Sequence, residues 1–362
     1  MSKPDQEFWR GRRVLVTGHT GFKGAWLSAW LEMLGAEVHG FALAPEPGAN
    51  LFRDLGDWTY LTSMTGDIRD REAVEIACAT ADPDIVIHLA AQSLVRRAHR
   101  DPLGTYATNV QGTGNLLENL NTCTGLRAIL VVTSDKCYRN DNSGRPFVES
   151  DPLGGSEPYS ASKAAQETLS AGWRKGILEN RDRAPRLATA RAGNVIGGGD
   201  WSEDRILPDL FRAIDAGQAL EVRNPDATRP WQHVLDVLTG YMRYVEAMVH
   251  DEEAKLPSAL NFGPDTETAQ PVRWVLEHVI ETARTEGVQV EDWHHTPQDG
   301  PVEARNLALD TSLSATTLDW HPHLSQADAA EWTARWHAQA LQGKSPRDLV
   351  EGQISAYQEL AI

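Results

Sequence analysis

The sequence predicts an α/β protein: a Rossmann-type, doubly wound parallel sheet joined to a smaller, irregular α+β substrate lobe. Three observations carry that prediction. Short apolar, β-branched runs alternate with helical stretches through the first half of the chain, as right-handed βαβ units require. The first run opens directly onto a glycine-rich turn and a helix. Beyond residue 192 the alternation stops, and Gly, Pro, Trp and Arg recur in short elements.

Arg13–Thr17 (RVLVT) reads as the first strand, followed by the turn and a helix reaching Leu34. Glu37–Leu43 is the second strand. Leu61–Thr65 is the third and ends at Gly66-Asp67, with a helix expected over Glu72–Thr80. Asp84–Leu89 (DIVIHL) and Ala128–Val132 (AILVV) are continuous apolar runs, the mark of strands covered on both faces. Helical segments fill most of Leu103–Asn121, and a longer helix runs from about Tyr159 to Asn180. A strand follows at Arg186–Arg191, then the loop Gly193–Trp201. Val234–Val249 reads as a helix and Ala259–Phe262 as one last strand. The expected division is a nucleotide-binding domain over 1–192 plus about 234–262, and a substrate lobe with a C-terminal tail over about 193–233 plus 263–362.

Composition narrows the function classes. With 51 acidic against 34 basic residues the chain carries a formal charge of −17, which argues against nucleic acid or an anionic membrane surface as the main partner. A small anionic substrate held by local arginines stays compatible. The opening segment MSKPDQEFWRGRR lacks the apolar core of a secretory signal, and no run of about 18 apolar residues occurs. Three cysteines lack metal-ligand spacing and leave an odd one over. A reduced, cytoplasmic protein without a metal is the expectation.

Thr17 leads into Gly18-His19-Thr20-Gly21-Phe22-Lys23-Gly24. Glycines in this spacing let backbone N–H groups approach a pyrophosphate at the helix N-terminus. The strand before and the helix after raise a weak triplet to a strong signal. An acid is expected at the end of the second strand, for the adenosine ribose. Gly40–Leu43 has none before Glu46, and no Arg adjoins it to hold a 2′-phosphate, the first beyond it being Arg53, so NAD is favoured over NADP. Asp67 and Ile68 are candidates for the adenine, the alternative being that Asp67 caps the next helix.

Two further features concern chemistry. The strand Ala128–Val132 runs into Thr133, Ser134, Asp135 and Lys136, where an Asp-Lys pair is either ordinary surface or an acid and base at the ligand-binding edge of a sheet. Tyr159 and Lys163 lie four apart at the start of a helix, on one face. A phenol with an ordinary pKa near 10 becomes a usable base when positive charge surrounds it.

Together the glycine loop, His88-Leu89-Ala90-Ala91-Gln92, Thr133-Ser134-Asp135 and Tyr159/Lys163 resemble the extended short-chain dehydrogenase/reductases, which modify nucleotide sugars. Thr133–Tyr138 (TSDKCY), Asp151–Gly155 (DPLGG), Arg191–Trp201 (RAGNVIGGGDW) and Asn224–Val234 (NPDATRPWQHV) are similar to the branch of that family that dehydrates CDP-glucose. The similarity runs from Phe8-Trp9 to at least Asp310. It implies NAD bound by Gly18, Thr20, Gly21, Phe22, Lys23, Gly24, Asp67, Ile68, Leu89, Ala90, Ala91, Gln92, Thr133, Tyr159 and Lys163. It implies a nucleotide-sugar substrate, CDP-glucose favoured, held by Gln92, Ser134, Asn194, Arg205, Arg229 and Arg305.

The roles implied are Tyr159 as base at the C4 hydroxyl, with Lys163 supporting it and holding the nicotinamide ribose. Ser134 would bond the C4 oxygen and Asp135 would protonate the departing C6 hydroxyl. Lys136 stands where related dTDP-glucose dehydratases carry Glu, and is assigned either as the C5 base or as a partner of Asp135. Val302 replaces the His that usually precedes Glu303-Ala304. Arg191 reads as structural and His233 as a packing residue. A homodimer or tetramer in the family's manner is expected, built on about Leu103–Asn121 and Tyr159–Asn180. The rival readings are a nucleotide-sugar 4-epimerase, which shares Tyr159, Lys163 and the glycines, and a non-catalytic NAD-binding regulator.

Overall fold

In the computed structural model, which describes residues 3–360 except 142, 182, 252, 265–268 and 297–307, seven strands form one parallel sheet. They are β1 (Arg13–Thr17), β2 (Glu37–Ala42), β3 (Leu61–Thr65), β4 (Ile85–His88), β5 (Ala128–Val132), β6 (Arg186–Ala192) and β7 (Ala259–Phe262). Their order is β7-β6-β5-β4-β1-β2-β3. The register sets Val14 beside Ile85, Ile85 beside Ala128, Ala128 beside Arg186 and Thr189 beside Ala259. β4 and β5 are buried along their whole length, as their unbroken apolar sequences demand. The edge strand β3 (LTSMT) is exposed or half-buried throughout, and its sequence is correspondingly polar. Chain reversal between β1 and β4 creates a switch point, and the carboxyl ends there form the crevice in which open α/β sheets take ligands.

Nine helices matter for the site: α1 (Phe22–Met33), α2 (Arg71–Ala81), α3 (Gly112–Asn119), α4 (Pro158–Trp173), α5 (Ile206–Asp215), α6 (Val234–His250), α7 (Val272–Thr285), α8 (Gln326–Leu341) and α9 (Pro346–Leu360). On one face of the sheet α1 and α6 bury Trp26, Trp30, Leu238 and Tyr241 completely, together with Trp9 and Phe262. Each such side chain contributes about 1.5–3 kcal/mol in transfer terms. The Trp26 indole N–H, which would otherwise be a buried orphan, donates to the Gly198 carbonyl at 2.9 Å. On the other face Leu116 and Leu117 meet Leu15, Val86 and Ile129. A third core of Leu210, Phe211, Val275, Val279 and Ala330 lies apart from the sheet.

Two helical segments depart from the expected elements. The segment Leu103–Asn121 is not one helix: Pro102–Tyr106 passes through a π-helical turn at Ala107–Gln111 before α3 begins. That turn delivers Asn109, whose buried side chain bonds both the N–H (2.8 Å) and the carbonyl (3.0 Å) of Gln92. The long helix expected to Asn180 stays α-helical only to Trp173, then widens into a second π turn, Arg174–Leu178. α7 and α8 pack together in the third core, whereas α9 returns to α1, where Tyr357 meets the Trp30 ring edge-on at 5.8 Å. No helix among the described residues is long and apolar enough to cross a membrane.

Candidate active site

The floor of the crevice is backbone. Gly18 sits at φ +77°, and a Cβ there would lie 2.7 Å from the Ala90 nitrogen. A Cβ on Gly24 would overlap the Gly18 carbonyl. Gly21 caps α1 without any side-chain bond, so the first turn of the helix offers bare N–H groups. This cradle suits a diphosphate. Thr20 uses its hydroxyl on the Leu43 carbonyl (3.0 Å), and Asn50 donates to the Thr20 carbonyl (3.1 Å), so the loop after β2 is stitched to the glycine turn. Phe22 is half-buried and faces Gly197. Burial and the Arg205 guanidinium push the Lys23 amine down to about 8, against the pull of Asp135 and Asp200.

At the end of β2, where an acid was expected, the space belongs to His19. Gly40 lacks the side chain that would overlap its ring, and the imidazole bonds Ser63 at 2.7 Å. Asp67 forms an ion pair with Arg69, while the cap of α2 is Asp70. Asp67 is therefore not the helix cap. Ile68 is buried against Gly112. Leu89 and Ala90 hydrogen-bond to Thr17, tying the end of β4 to that of β1, and half-buried Ala91 follows. The Gln92 amide turns back on Leu94 and Thr105, organising its own loop.

Above this floor, β5 delivers the expected trio. The Thr133 hydroxyl donates to Glu167 at 2.5 Å. The Ser134 hydroxyl lies 2.9 Å from Asp135 Oδ1, and the Lys136 N–H reaches Ser134 at 3.2 Å. Asp135 is 2% exposed and its other oxygen is buried without a partner, facing Gly193. Lys136 is half-buried, and among the described residues no carboxylate pairs with its ammonium, Asp135 included. The reading of Lys136 as a simple ion-pair partner therefore has no contact behind it.

Tyr159 opens α4, whose first N–H groups are held by Glu157. Burial raises the phenol to about 12, which hydrogen bonding to Ser134 and the charge of Arg205 oppose. Lys163 is 2% exposed and donates to the Val132 carbonyl (3.2 Å) and to Gln166 (2.9 Å). Burial, with Lys23 nearby, holds its amine down to about 7.

Half-buried Arg205 precedes α5 and turns its charge on Tyr159 and Lys23. The Asn194 amide nitrogen is buried without a partner. Arg229 donates to the Thr228 carbonyl at 2.9 Å. Arg305 lies outside the described residues. Across the mouth, Arg97 binds Glu46 (2.9 Å) and Glu203 (3.1 Å), while Arg100 and Arg96 reach Glu203 and Asp204.

Sequence reading missed the layer beneath. Glu167, at the helical spacing of one turn from Lys163, takes a bidentate grip from Arg191 (3.0 and 2.7 Å) and also binds Thr133 and Thr189. Arg191 is structural, as expected. His233 packs between Trp26 and Trp332 and caps α6.

A nucleotide cradle, a buried tyrosine-lysine pair and a carboxylate at one sheet edge define the class. The chain belongs to the NAD dependent epimerase/dehydratase family, whose pattern matches residues 14–263. It is 38% identical over 356 residues, 98% of each chain, to CDP-glucose 4,6-dehydratase of Salmonella typhimurium. Over 62% of its length it is 34% identical to a probable dTDP-glucose 4,6-dehydratase of Sinorhizobium fredii, covering 65% of that protein. Among solved structures it resembles NAD-bound dTDP-glucose 4,6-dehydratase from Bacillus anthracis, with a TM-score of 0.74 at 21% identity over 92% of this chain and 99% of that one.

Proposed function

We propose that this protein dehydrates CDP-glucose to CDP-4-keto-6-deoxyglucose. One observation carries the reading: Ser134 and Asp135, at the end of β5, lie against Tyr159 of α4, within a chain similar along its whole length to a CDP-glucose dehydratase. The bare N–H groups of α1 and the glycine contacts fit NAD. NAD held there would supply a reversible hydride acceptor, the chemistry that oxidation at C4 and reduction at C6 require.

Tyr159 takes the C4 hydroxyl proton, and Ser134 steadies that oxygen. The new ketone acidifies C5–H. Lys136, unpaired among the described residues, takes that proton and gives it back to C5 as C6 is reduced. Asp135 has one buried oxygen without a partner and supplies a proton to the C6 hydroxyl as it leaves as water. Asn194, Arg205 and Arg229 serve the nucleotide diphosphate, as Arg forks do. A pair of such chains, joined through the Pro102–Asn119 region and α4, forms the working homodimer or tetramer. The enzyme works in the cytoplasm and feeds deoxysugar synthesis for lipopolysaccharide O-antigen.

The test uses glucose deuterated at C4 in CDP-, dTDP-, UDP- and GDP-linked form. A 4-keto-6-deoxy product from CDP-glucose, labelled at C6, is expected. An epimerase returns the label to C4 and forms no ketone. Asp135→Asn and Lys136→Met should still oxidise C4 but stall at water loss, so that 340 nm absorbance accumulates in a single turnover. Normal turnover in both variants would return the pair to ordinary surface.

A further inference from the structure

Beneath Lys163 runs a buried chain of side-chain hydrogen bonds that no expected role accounts for. The Lys163 ammonium donates to Gln166 Oε1 at 2.9 Å. Gln166 Nε2 donates to Thr113 Oγ1 at 2.8 Å, and the His88 Nε2 lies 2.9 Å from that same oxygen. On its other side, His88 Nδ1 lies 2.6 Å from Thr17 Oγ1, which accepts from the Ala90 N–H at 3.2 Å. The chain thus connects the strand that opens the cofactor loop to the helix that carries Lys163. Thr17, His88, Thr113 and Gln166 are all at most 1% exposed.

Its polarity follows from counting protons. The single hydroxyl hydrogen of Thr113 goes to the Asn109 carbonyl at 2.7 Å. Thr113 Oγ1 can then only accept, so both Gln166 Nε2 and His88 Nε2 must bring hydrogens to it. His88 carries one proton when neutral, and burial, with the Lys163 charge, holds it neutral by pulling its pKa down to about 3. Its Nδ1 therefore accepts from Thr17. With the Gln166 nitrogen committed to Thr113, its oxygen must face Lys163. A flipped amide would set two N–H groups against the ammonium and an oxygen against a hydroxyl with nothing to give.

We infer that Gln166 is a positioning residue for Lys163, and that the chain through Thr113, His88 and Thr17 fixes which end of its amide meets the ammonium. With the Val132 carbonyl as second acceptor, two of the three Lys163 N–H groups are directed inward and the third is left for the cofactor edge. The part of this that concerns cofactor affinity rests on the proposed role of Lys163 at the nicotinamide ribose. Besides Gln166, Lys163 faces the charges of Lys23 from α1, Glu167 from its own helix, and the thiol of Cys137 from the turn after β5. An acceptor at 2.9 Å favours the ammonium over the amine, so the amide supports the charged form that burial opposes.

The experiment follows the Nζ resonance of Lys163 with pH in protein labelled with nitrogen-15 at lysine, assigned by its loss in Lys163→Met, beside NAD affinity by calorimetry. Gln166→Leu should lower the midpoint by about one pH unit and weaken NAD binding about tenfold. Gln166→Glu, which keeps an acceptor, should raise the midpoint and restore binding. Thr113→Val preserves volume and frees the amide to turn, so it should lower the midpoint by a smaller step and carries the test alone if Gln166→Leu does not fold. Unchanged midpoints in Gln166→Leu and Thr113→Val would overturn the inference, as would a fall in Gln166→Glu. A protein that forms no 4-keto-6-deoxy product but shows these shifts loses the proposed reaction and keeps this one.

Discussion

Gly193 shows how much a missing side chain decides. A Cβ there would overlap the Asp135 carboxylate, and because the Gly193 backbone lies outside the left-handed region, alanine would fold there and press on the acid. Gly193→Ala should retain NAD binding and slow elimination by about tenfold or more, read as 340 nm absorbance building up in a single turnover. Wild-type progress curves would free Asp135 from that contact. Tyr159→Phe keeps the ring and loses the proton acceptor, so C4 oxidation itself should fall by about 10²-fold or more, with NAD affinity unchanged. At this scale the sequence spoke clearly where the chemistry is contiguous. Ser134, Asp135 and Lys136 are neighbours along the chain, and Tyr159 and Lys163 share one turn. Glu167 was silent because its partners Thr133, Thr189 and Arg191 come from two other strands, and Gln166 because Thr113 lies 53 residues away. His19 fills the end of β2 only because Gly40 leaves room, a fact of packing that no motif encodes.

Among the elements, strands were the most legible. Ala128–Val132, Leu61–Thr65 and Ala259–Phe262 occur with the limits their apolar or alternating runs suggest. Helices were less so: both π turns hold an extra residue in the ladder, and period alone carries no sign of that. A buried ion pair, Glu167–Arg191, joins α4 to β6 with both side chains at most 5% exposed. Arg191→Met would leave the carboxylate buried without its counter-charge, at about 3–5 kcal/mol. The urea midpoint should drop accordingly, and the double variant Arg191→Met/Glu167→Gln should recover most of it. A double variant as unstable as the single would show that packing, not charge, is the fastening.

For the whole molecule, α9 closes the fold through one carboxyl group. Asp236 on α6 accepts from the Tyr357 hydroxyl and the His323 N–H, both at 2.7 Å, and its second oxygen is buried without a partner. Burial raises this acid from 3.8 to about 7. The folded state therefore holds a proton that the unfolded chain gives up near 4, and stability from this group is complete below about 4 and lost as pH rises through about 7. Relative to Asp236→Asn, the wild type should weaken steadily across that interval in thermal melts, with a constant gap above it. Parallel pH curves would place the carboxyl outside the fastening. Arg97, finally, makes the bathing medium a participant. Its bonds to Glu46 and Glu203 join the loop stitched to the glycine turn with the loop that precedes Arg205, and all of these partners are exposed enough for ions to reach them. Dissolved salt screens such contacts over about 8 Å at physiological strength, so the residence time of NAD is predicted to depend on the buffer as well as on the protein. Stopped-flow release should quicken with added KCl in the wild type and stay level in Arg97→Met; a wild type indifferent to chloride would put the exit somewhere else.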